Sequence, residues 1–418
     1  MKFLHAADIH LDSPIKNLSL SEPEALFRIR RATREAFERL VDLALTERVS
    51  LLLLAGDLYD HDAPNMQIAL FLRGQLRRLA DASIPVVIVR GNHDAENRIT
   101  PLLDLPENTR VLSARTPETV RFDEIGVSVT GQSFVEGPVT DNLARGYPTP
   151  PPGTFNIALL HTSLAGSPDH DSYAPCSLSD LTSRGYDYWA LGHIHKGEIL
   201  SRDPYVVYPG NLQGRHARET GPKGAVLVET EGSRVHSCRS VPLDGIRWHQ
   251  LPVSLDGAAT LSEAGDRLRS ALREVVRLSE DRPAVVRVLL SGRTSLASGP
   301  LASAGARRQI VLEAAGEVGG GELWVEKVAG SLLSDEGERG KGAGGKSSGD
   351  EFFSVLSEVL EDTKTLEEIL APEVEALRAR LPDPLHARLS PASPDSLFPD
   401  LAEILPDLRE ILSRKESL

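Results

Sequence analysis

Cysteine is nearly absent from this chain. Its two copies in 418 residues, Cys176 and Cys238, form no close-spaced pair. That excludes a disulfide framework and a thiolate metal cluster, and it fits a reducing setting such as the cytoplasm. Long apolar runs are missing as well: none approaches the roughly 20 residues of a membrane span, so no membrane partner is expected. The opening residues, MKFLHAADIH, place Asp8 and His10 where a secretory signal would still be apolar. Positive charge is in short supply, with 46 Lys and Arg against 60 Asp and Glu, a net of -14. This argues at first against a nucleic-acid partner. However, half of the acidic excess falls between Phe352 and Leu418, and acids that hold metal ions are offset by those ions. Charge leaves the question open.

The 40% hydrophobic and 25% charged composition is that of a soluble globular protein, and 45.3 kDa calls for two or three domains. Apolar patterning predicts a strand at 2–7, a helix from Glu24 to Arg48, a strand at 50–56, a helix from Met66 to Ala80 and a strand at 84–91. This alternation implies parallel strands covered by helices. Further strands are expected at 127–130, 156–160, 188–191, 205–208 and 224–229. Taken alone, the order suggests one doubly wound sheet. After about Leu243 the character changes to a small unit with a helix from Leu261 to Leu278 and a strand at 284–290. A glycine-rich run around 337–349 and amphipathic helices close the chain. The expected domains are 1–245, 246–330, a linker at 331–350 and the terminal helices at 351–418.

Histidine is the informative residue. Only 12 are present, yet DYWALGHIHKGE (Asp187 to Glu198) sets His193 and His195 one residue apart after an apolar run and a glycine. Other polar residues also fall just beyond predicted strands: Asp8 and His10, then Asp57, then Asn92, His93 and Asp94, then His161. In an α/β sheet the carboxyl ends of the strands share one rim. Singly, each residue has an ordinary explanation as a cap, a turn or a satisfied histidine. Together they form a sulfur-free oxygen and nitrogen ligand set, too large for one ion and suited to two that share the Asp57 carboxylate. Side chains at i and i+2 of extended backbone share a face, which would let Asp8 and His10 reach one ion together. The same spacing would let His193 and His195 serve neighbouring ions.

The run D-x-H, G-D, G-N-H-D, H, G-H-x-H resembles the signature of the calcineurin-like metallophosphoesterases. FLHAADIHLDSP at the start and YPGNLQGRHARETGPKGAVLVE at 208–229 are similar to DNA repair nucleases of the SbcD type, most of all the YhaO-like branch. The likeness is strong over 1–245 and loose over 246–330. It implies an α/β fold: a sandwich of two β-sheets flanked by helices, with a small α+β capping domain and C-terminal helices. It implies Asp8, His10, Asp57 and His195 around one ion and Asp57, Asn92, His161 and His193 around the other. His93 would face the scissile phosphate, oriented by Asp94. In that family a histidine often follows GDLF, whereas this chain reads GDLYDHD, so either Asp60 or His61 stands in that role.

The donor mixture suits Mn²⁺ or Fe²⁺, and the resemblance favours two Mn²⁺ ions. It also implies a DNA exonuclease or endonuclease acting with an SMC-like ATPase of the YhaN or SbcC kind. A homodimer through the helices at 26–37 and 66–79 is a further expectation. Candidate DNA-binding residues are Arg90, Arg98, Arg215, His216, Arg218 and Lys223, near the motif loops. The alternative activity is hydrolysis of small phosphoesters such as nucleotides or cyclic nucleotides.

Overall fold

The structure, a computed structural model, describes residues 1–334 except 14–19, 21, 61–65, 96–103, 136, 138 and 165–172. The linker expected at 331–350 lies outside the described residues from 335 onward, and the terminal helices expected at 351–418 lie wholly outside them.

The chain runs β1 (Lys2–Ala6), α1 (Pro23–Glu47), β2 (Leu51–Ala55), α2 (Met66–Asp81), β3 (Val86–Val89), a single turn α3 (Asn92–Ala95) and β4 (Thr109–Val111). It continues through β5 (Glu118–Phe122), β6 (Val127–Gln132), β7 (Phe155–His161), α4 (Leu178–Thr182), β8 (Tyr188–Gly192), β9 (Glu198–Arg202) and β10 (Tyr205–Tyr208). Then come β11 (Gly224–Glu231), β12 (Arg234–Pro242), β13 (Arg247–Ser254), α5 (Leu261–Leu278), β14 (Ala284–Ser291), α6 (Ala304–Gly319) and β15 (Leu323–Gly330).

Two compact units emerge. Of the described residues, one comprises Met1–Leu251, Arg269–Arg287 and Leu312–Lys327; the other comprises Pro252–Leu268, Val288–Val311 and 328–334. The first unit contains two six-stranded sheets, ordered β12-β11-β1-β2-β3-β4 and β5-β6-β7-β8-β10-β9. The single doubly wound sheet suggested by strand order is therefore replaced by a sandwich. Strand order along the chain cannot report it, because β6-β7-β8 repeats the same parallel pattern in a second sheet.

The run LLLLA of β2 shows how the sandwich is built. Leu51, Leu53 and Ala55 pack with Val127, Val129, Ile157, Leu159, Tyr188 and Ala190 in the core between the sheets. Leu52 and Leu54 point the other way, into a core with Phe37, Leu40 and Val41 of α1 and Leu72 and Leu76 of α2. Every residue of β2 is buried, as expected for a strand covered on both faces. Each such side chain contributes about 1.5–3 kcal/mol of burial free energy. α1 starts at Pro23, whose missing N–H costs nothing at the first turn. Its buried Ile29, Thr33, Ala36, Phe37, Leu40 and Ala44 recur at helical spacing along one stripe.

For the site, the parallel registers matter most. Ala6 lies opposite Leu54, Ala55 opposite Val89, and in the other sheet His161 opposite Gly192. The carboxyl ends of β1, β2 and β3 thus come level in one sheet, and those of β7 and β8 in the other. The later part of the chain adds a three-stranded sheet of β13, β14 and β15.

Candidate metal centre

Every candidate ligand sits where a strand stops. Asp8, His10, Asp57, His161 and His193 are buried. His195 and His93 are more open, with side chains 20% and 29% exposed. One carboxylate or ring atom each from Asp8, His10 and His195 lie within 4.8 Å of one another, as do those of Asp8, Asp57 and His161. The Nε2 atoms of His10 and His195 are 3.3 Å apart. His161 Nε2 lies 3.0 Å from Asn92 Oδ1 and 3.4 Å from Asp57 Oδ2. All seven predicted ligand residues therefore belong to one cluster; His193 joins it through its ring, 5.2 Å from that of His161.

The backbone reason differs from the sequence reading. Asp8, His10, Asp57 and His193 are not extended; their φ angles are 51°, 47°, 52° and 98°. Left-handed backbone is uncommon outside glycine, though Asp and His tolerate it better than most. The turn is held by Asp8 N–H on Gly56 O at 3.0 Å and by the N–H groups of Ile9 and His10 on Asp57 O at 2.9 and 3.0 Å. Gly192 is required for space: a Cβ there would collide with the carbonyl of Ala55.

Three imidazoles share a pattern. The Nδ1–H of His10 donates to Asp60 Oδ1 at 2.5 Å, that of His195 to Glu219 Oε1 at 2.6 Å, and that of His161 to Ala55 O at 2.9 Å. Anchoring one ring nitrogen on an acceptor fixes the tautomer and turns Nε2 toward the cluster, as metal-binding histidines usually do.

Electrostatics point the same way. Burial raises the Asp8 carboxyl to about 6, and burial with the neighbouring Asp57 charge raises Asp94 to about 7. Burial would also raise Asp57, but His161 outweighs it and holds Asp57 below the usual carboxylate range. Burial likewise opposes protonation of His161, yet the Asp57 charge lifts it to about 9. His161 Nε2 lies between Asn92 Oδ1 and Asp57 Oδ2, a position suited to a cation. His10 is pushed down to about 4 by burial and then by Arg215, leaving its Nε2 unprotonated at neutral pH.

Two roles change. Asp94 spends its carboxylate on backbone: Oδ1 accepts from Leu58 N–H at 2.8 Å and Tyr59 N–H at 3.1 Å, and Oδ2 from Gly91 N–H at 3.1 Å. It ties the loop after β2 to the loop after β3, and Asp60 Oδ1 lies 3.4 Å from His93 Nδ1. The His93 backbone N–H is fixed on Asp57 Oδ1 at 3.0 Å. Arg215 turns inward, 3.7 Å from both Asp60 Oδ2 and Glu219 Oε1. Lys223 is half-buried and donates to His195 O at 2.8 Å. His216 and Arg218 are exposed and Arg90 is half-buried. Arg98 and His61 lie outside the described residues. Glu219 went unnoticed in the sequence because its stretch, QGRHARETGPK, draws the eye to its bases; its sign was that it is the sole acid there.

The calcineurin-like phosphoesterase family matches residues 1–197, and the YhaO metallophosphoesterase middle domain matches 248–332. The chain is 35% identical over 297 residues to the uncharacterized metallophosphoesterase YhaO of Bacillus subtilis, covering 70% of this chain and 72% of that protein. It belongs to the calcineurin-like metallophosphoesterases. It is also 29% identical over 292 residues to the DNA double-strand break repair protein Mre11 of Methanopyrus kandleri, covering 60% of this chain and 61% of that one. With Mre11 of Sulfurisphaera tokodaii the identity is 24% over 309 residues, covering 70% and 74% of the two chains.

Metallophosphoesterases of this family use a dinuclear metal centre, and this one carries donors for it. Nitrogen ligands about 2.1 Å from one ion and at right angles are about 3.0 Å apart, close to the 3.3 Å between His10 and His195. A metallophosphoesterase hydrolyses phosphoester bonds. Among the described residues no helix is long and apolar enough to cross a membrane.

Proposed function

We propose that this metallophosphoesterase is a Mn²⁺-dependent DNA nuclease that works with an SMC-like ATPase. The observation that carries its metal chemistry is the set of three Nδ1-anchored imidazoles around two buried carboxylates. Asp8, His10, Asp57 and His195 would hold one ion, and Asp57, Asn92, His161 and His193 the other. When bound, two such ions supply an activated water and neutralise the charge of a phosphodiester.

The chain's own groups do the rest. The half-open His93 is the residue we place against the scissile phosphate. Its backbone N–H is locked to Asp57 and its Nδ1 turns toward Asp60, so Nε2 is the atom that would give a proton to the departing 3′ oxygen. Asp94 holds the two loops that carry Asp57 and His93 at a fixed distance. The exposed His216 and Arg218, with Arg90, are the proposed contacts to the DNA backbone, where cations beside the site would track phosphates. Support for DNA over small phosphoesters comes from the Mre11 relatives, which are DNA double-strand break repair proteins. The ATPase is proposed to dock on residues 351–418, and a homodimer to form through α1 and α2, whose Phe27, Met66 and Leu70 are exposed. Two thiols without a disulfide suit the cytoplasm as the place of action.

The test is direct. Purified full-length chain with Mn²⁺ is offered a labelled single-stranded oligonucleotide and, separately, bis(p-nitrophenyl) phosphate and a cyclic nucleotide. Shortening of the oligonucleotide supports the reading. Hydrolysis confined to the small esters would replace it with a small-substrate phosphodiesterase.

A further inference from the structure

Behind the cluster lies a second arrangement of charge. Asp60 and Glu219 are the acceptors that fix His10 and His195, at 2.5 and 2.6 Å. Both carboxylates are almost fully buried, with side chains 11% and 7% exposed. Arg215 stands between them: Nη1 is 3.7 Å from Asp60 Oδ2 and Nη2 is 3.7 Å from Glu219 Oε1. Its own N–H donates to Glu219 Oε2 at 2.7 Å, and Nη1 donates to Ser13 Oγ at 3.2 Å. Ser13 Oγ in turn donates to Asp60 Oδ2. Asn211 Nδ2 completes the Glu219 end at 2.9 Å.

We infer that Asp60, Arg215 and Glu219 form one clamp that positions His10 and His195 for a single metal ion, with Arg215 serving metal retention and not DNA. This rests on the two-metal reading above. Two carboxylates buried on either side of one side chain are costly without a cation between them, and Arg215 supplies it. The planar guanidinium meets both at once, as a lysine would not. With Arg215 in place, each carboxylate is held where it accepts its histidine's Nδ1–H, and the two Nε2 atoms face each other 3.3 Å apart. The other ion position does not depend on the clamp, because His161 is anchored on the Ala55 carbonyl. Asp60 Oδ1 also lies 3.4 Å from His93 Nδ1, so the same carboxylate sets the ring that the mechanism places against phosphate. Nothing in the clamp needs to touch substrate; its members are positioning residues.

The experiment uses full-length protein stripped with chelator and titrated calorimetrically with MnCl₂ alone. Wild type is expected to show two binding steps. Asp60→Asn and Glu219→Gln should each weaken one step by about 10–100-fold and leave the other unchanged, the range found when partners of metal-binding histidines are removed. Arg215→Ala should weaken that same step, with Arg215→Lys recovering only part of it. The double variant Asp60→Asn/Glu219→Gln should fall short of the product of the single effects, since both act through Arg215. If Asp60→Asn does not fold, Glu219→Gln carries the same test from the other end. Binding of a fluorescent oligonucleotide in chelator is measured alongside. Arg215→Ala that binds Mn²⁺ like wild type but loses the oligonucleotide would overturn the clamp and return Arg215 to DNA. Variants that leave a normal two-step titration unchanged would overturn the clamp alone. A wild type without two steps would remove the two-metal reading and this inference with it.

Discussion

Replacing Asp57 by asparagine isolates the shared carboxylate. The amide keeps an oxygen for the His93 N–H, which Asp57 Oδ1 accepts at 3.0 Å, and keeps the shape of the loop. It removes one negative charge from a site where Asp57 helps to raise both Asp8 and Asp94. It also removes the charge that His161 pairs with at 3.4 Å, so the metal-free variant is expected to melt lower than metal-free wild type, and the quantity compared is each protein's shift on adding metal. That shift is where the two should part. A ligand at 100 times its dissociation constant stabilises the folded state by about 2.7 kcal/mol per site, or about 5.4 kcal/mol for two. For a folding unit of this size each kcal/mol moves the melting midpoint by roughly 2–4 °C, so saturating Mn²⁺ should raise wild type by about 11–22 °C. Asp57→Asn loses the carboxylate proposed to serve both ions, and its midpoint should move by less than about a quarter of that. Thermal melts of chelator-stripped protein with increasing MnCl₂, with metal content by mass spectrometry, decide it. An Asp57→Asn protein that holds two ions and shows the full wild-type shift would refute the shared-carboxylate geometry.

Other outcomes follow from the same contacts. His93→Ala should keep its metal and its melting curve while turnover falls about 10²–10⁴-fold; loss of metal would make His93 a ligand instead. Asp94→Ala strands three backbone N–H groups, those of Leu58, Tyr59 and Gly91, and should cost about 3–6 kcal/mol in urea unfolding. An unchanged urea midpoint, with only activity lost, would restore the orienting role for His93 that the sequence suggested. Deleting residues 351–418 should leave Mn²⁺-dependent cleavage of short single strands intact and abolish co-purification with the ATPase partner; a truncation that still captures the partner rules out that docking segment. Light scattering at micromolar concentration should give twice the mass of a 45.3 kDa chain, and a single-chain mass would exclude the homodimer.

The interior of this fold was readable and its margins were not. Strands β2, β3, β7, β8 and β10 announce themselves because burial on both faces demands unbroken apolar runs, and α5 was legible to its end residues. β5, β9 and β12 went unseen because they are edge strands of partly exposed residues: ETVRF, EILSR and RVHSCRSVP carry no apolar run. The split into two sheets left no trace in strand order and entered only through family resemblance. At the site, residue identity was legible, since a histidine or aspartate just past an apolar run has few other reasons to recur. What those residues rest on was not. Ala55 contributes a carbonyl, which every residue has, and Glu219 is separated from its histidine by 24 positions. The resemblance implied that Asp94 orients His93; its carboxylate accepts from Leu58 and Tyr59 in the loop after β2 and from Gly91 in its own loop.

The left-handed backbone at Asp8 and His10 explains why spacing alone could be right about the ligands and wrong about the conformation. In an extended strand Ile9 would point away from the two ligands, toward the opposite face of the sheet. Here the turn sends Ile9 and Leu11 together into the helix-side core with Leu40, Leu58 and Leu212. Asp8 and His10 are thereby driven toward the metal cluster instead of solvent. Non-glycine residues in such conformations cost of order 1–3 kcal/mol each, and four of the proposed ligands adopt them. The strain is held by bonds to the neighbouring loop, Asp8 N–H on Gly56 O and Ile9 N–H on Asp57 O. Each ligand turn is thus clamped by the next, and Asp94 clamps that loop to the one bearing Asn92 and His93. Five acids, Asp8, Asp57, Asp60, Asp94 and Glu219, are packed into this small volume with little exposure. Arg215 balances two of them. Protons can quiet Asp8 and Asp94 when metal is absent, but Asp57 stays charged against His161. A fold that concentrates so much buried negative charge at strained strand ends is stabilised by the cations it is built to hold, so metal binding and folding of this rim are coupled.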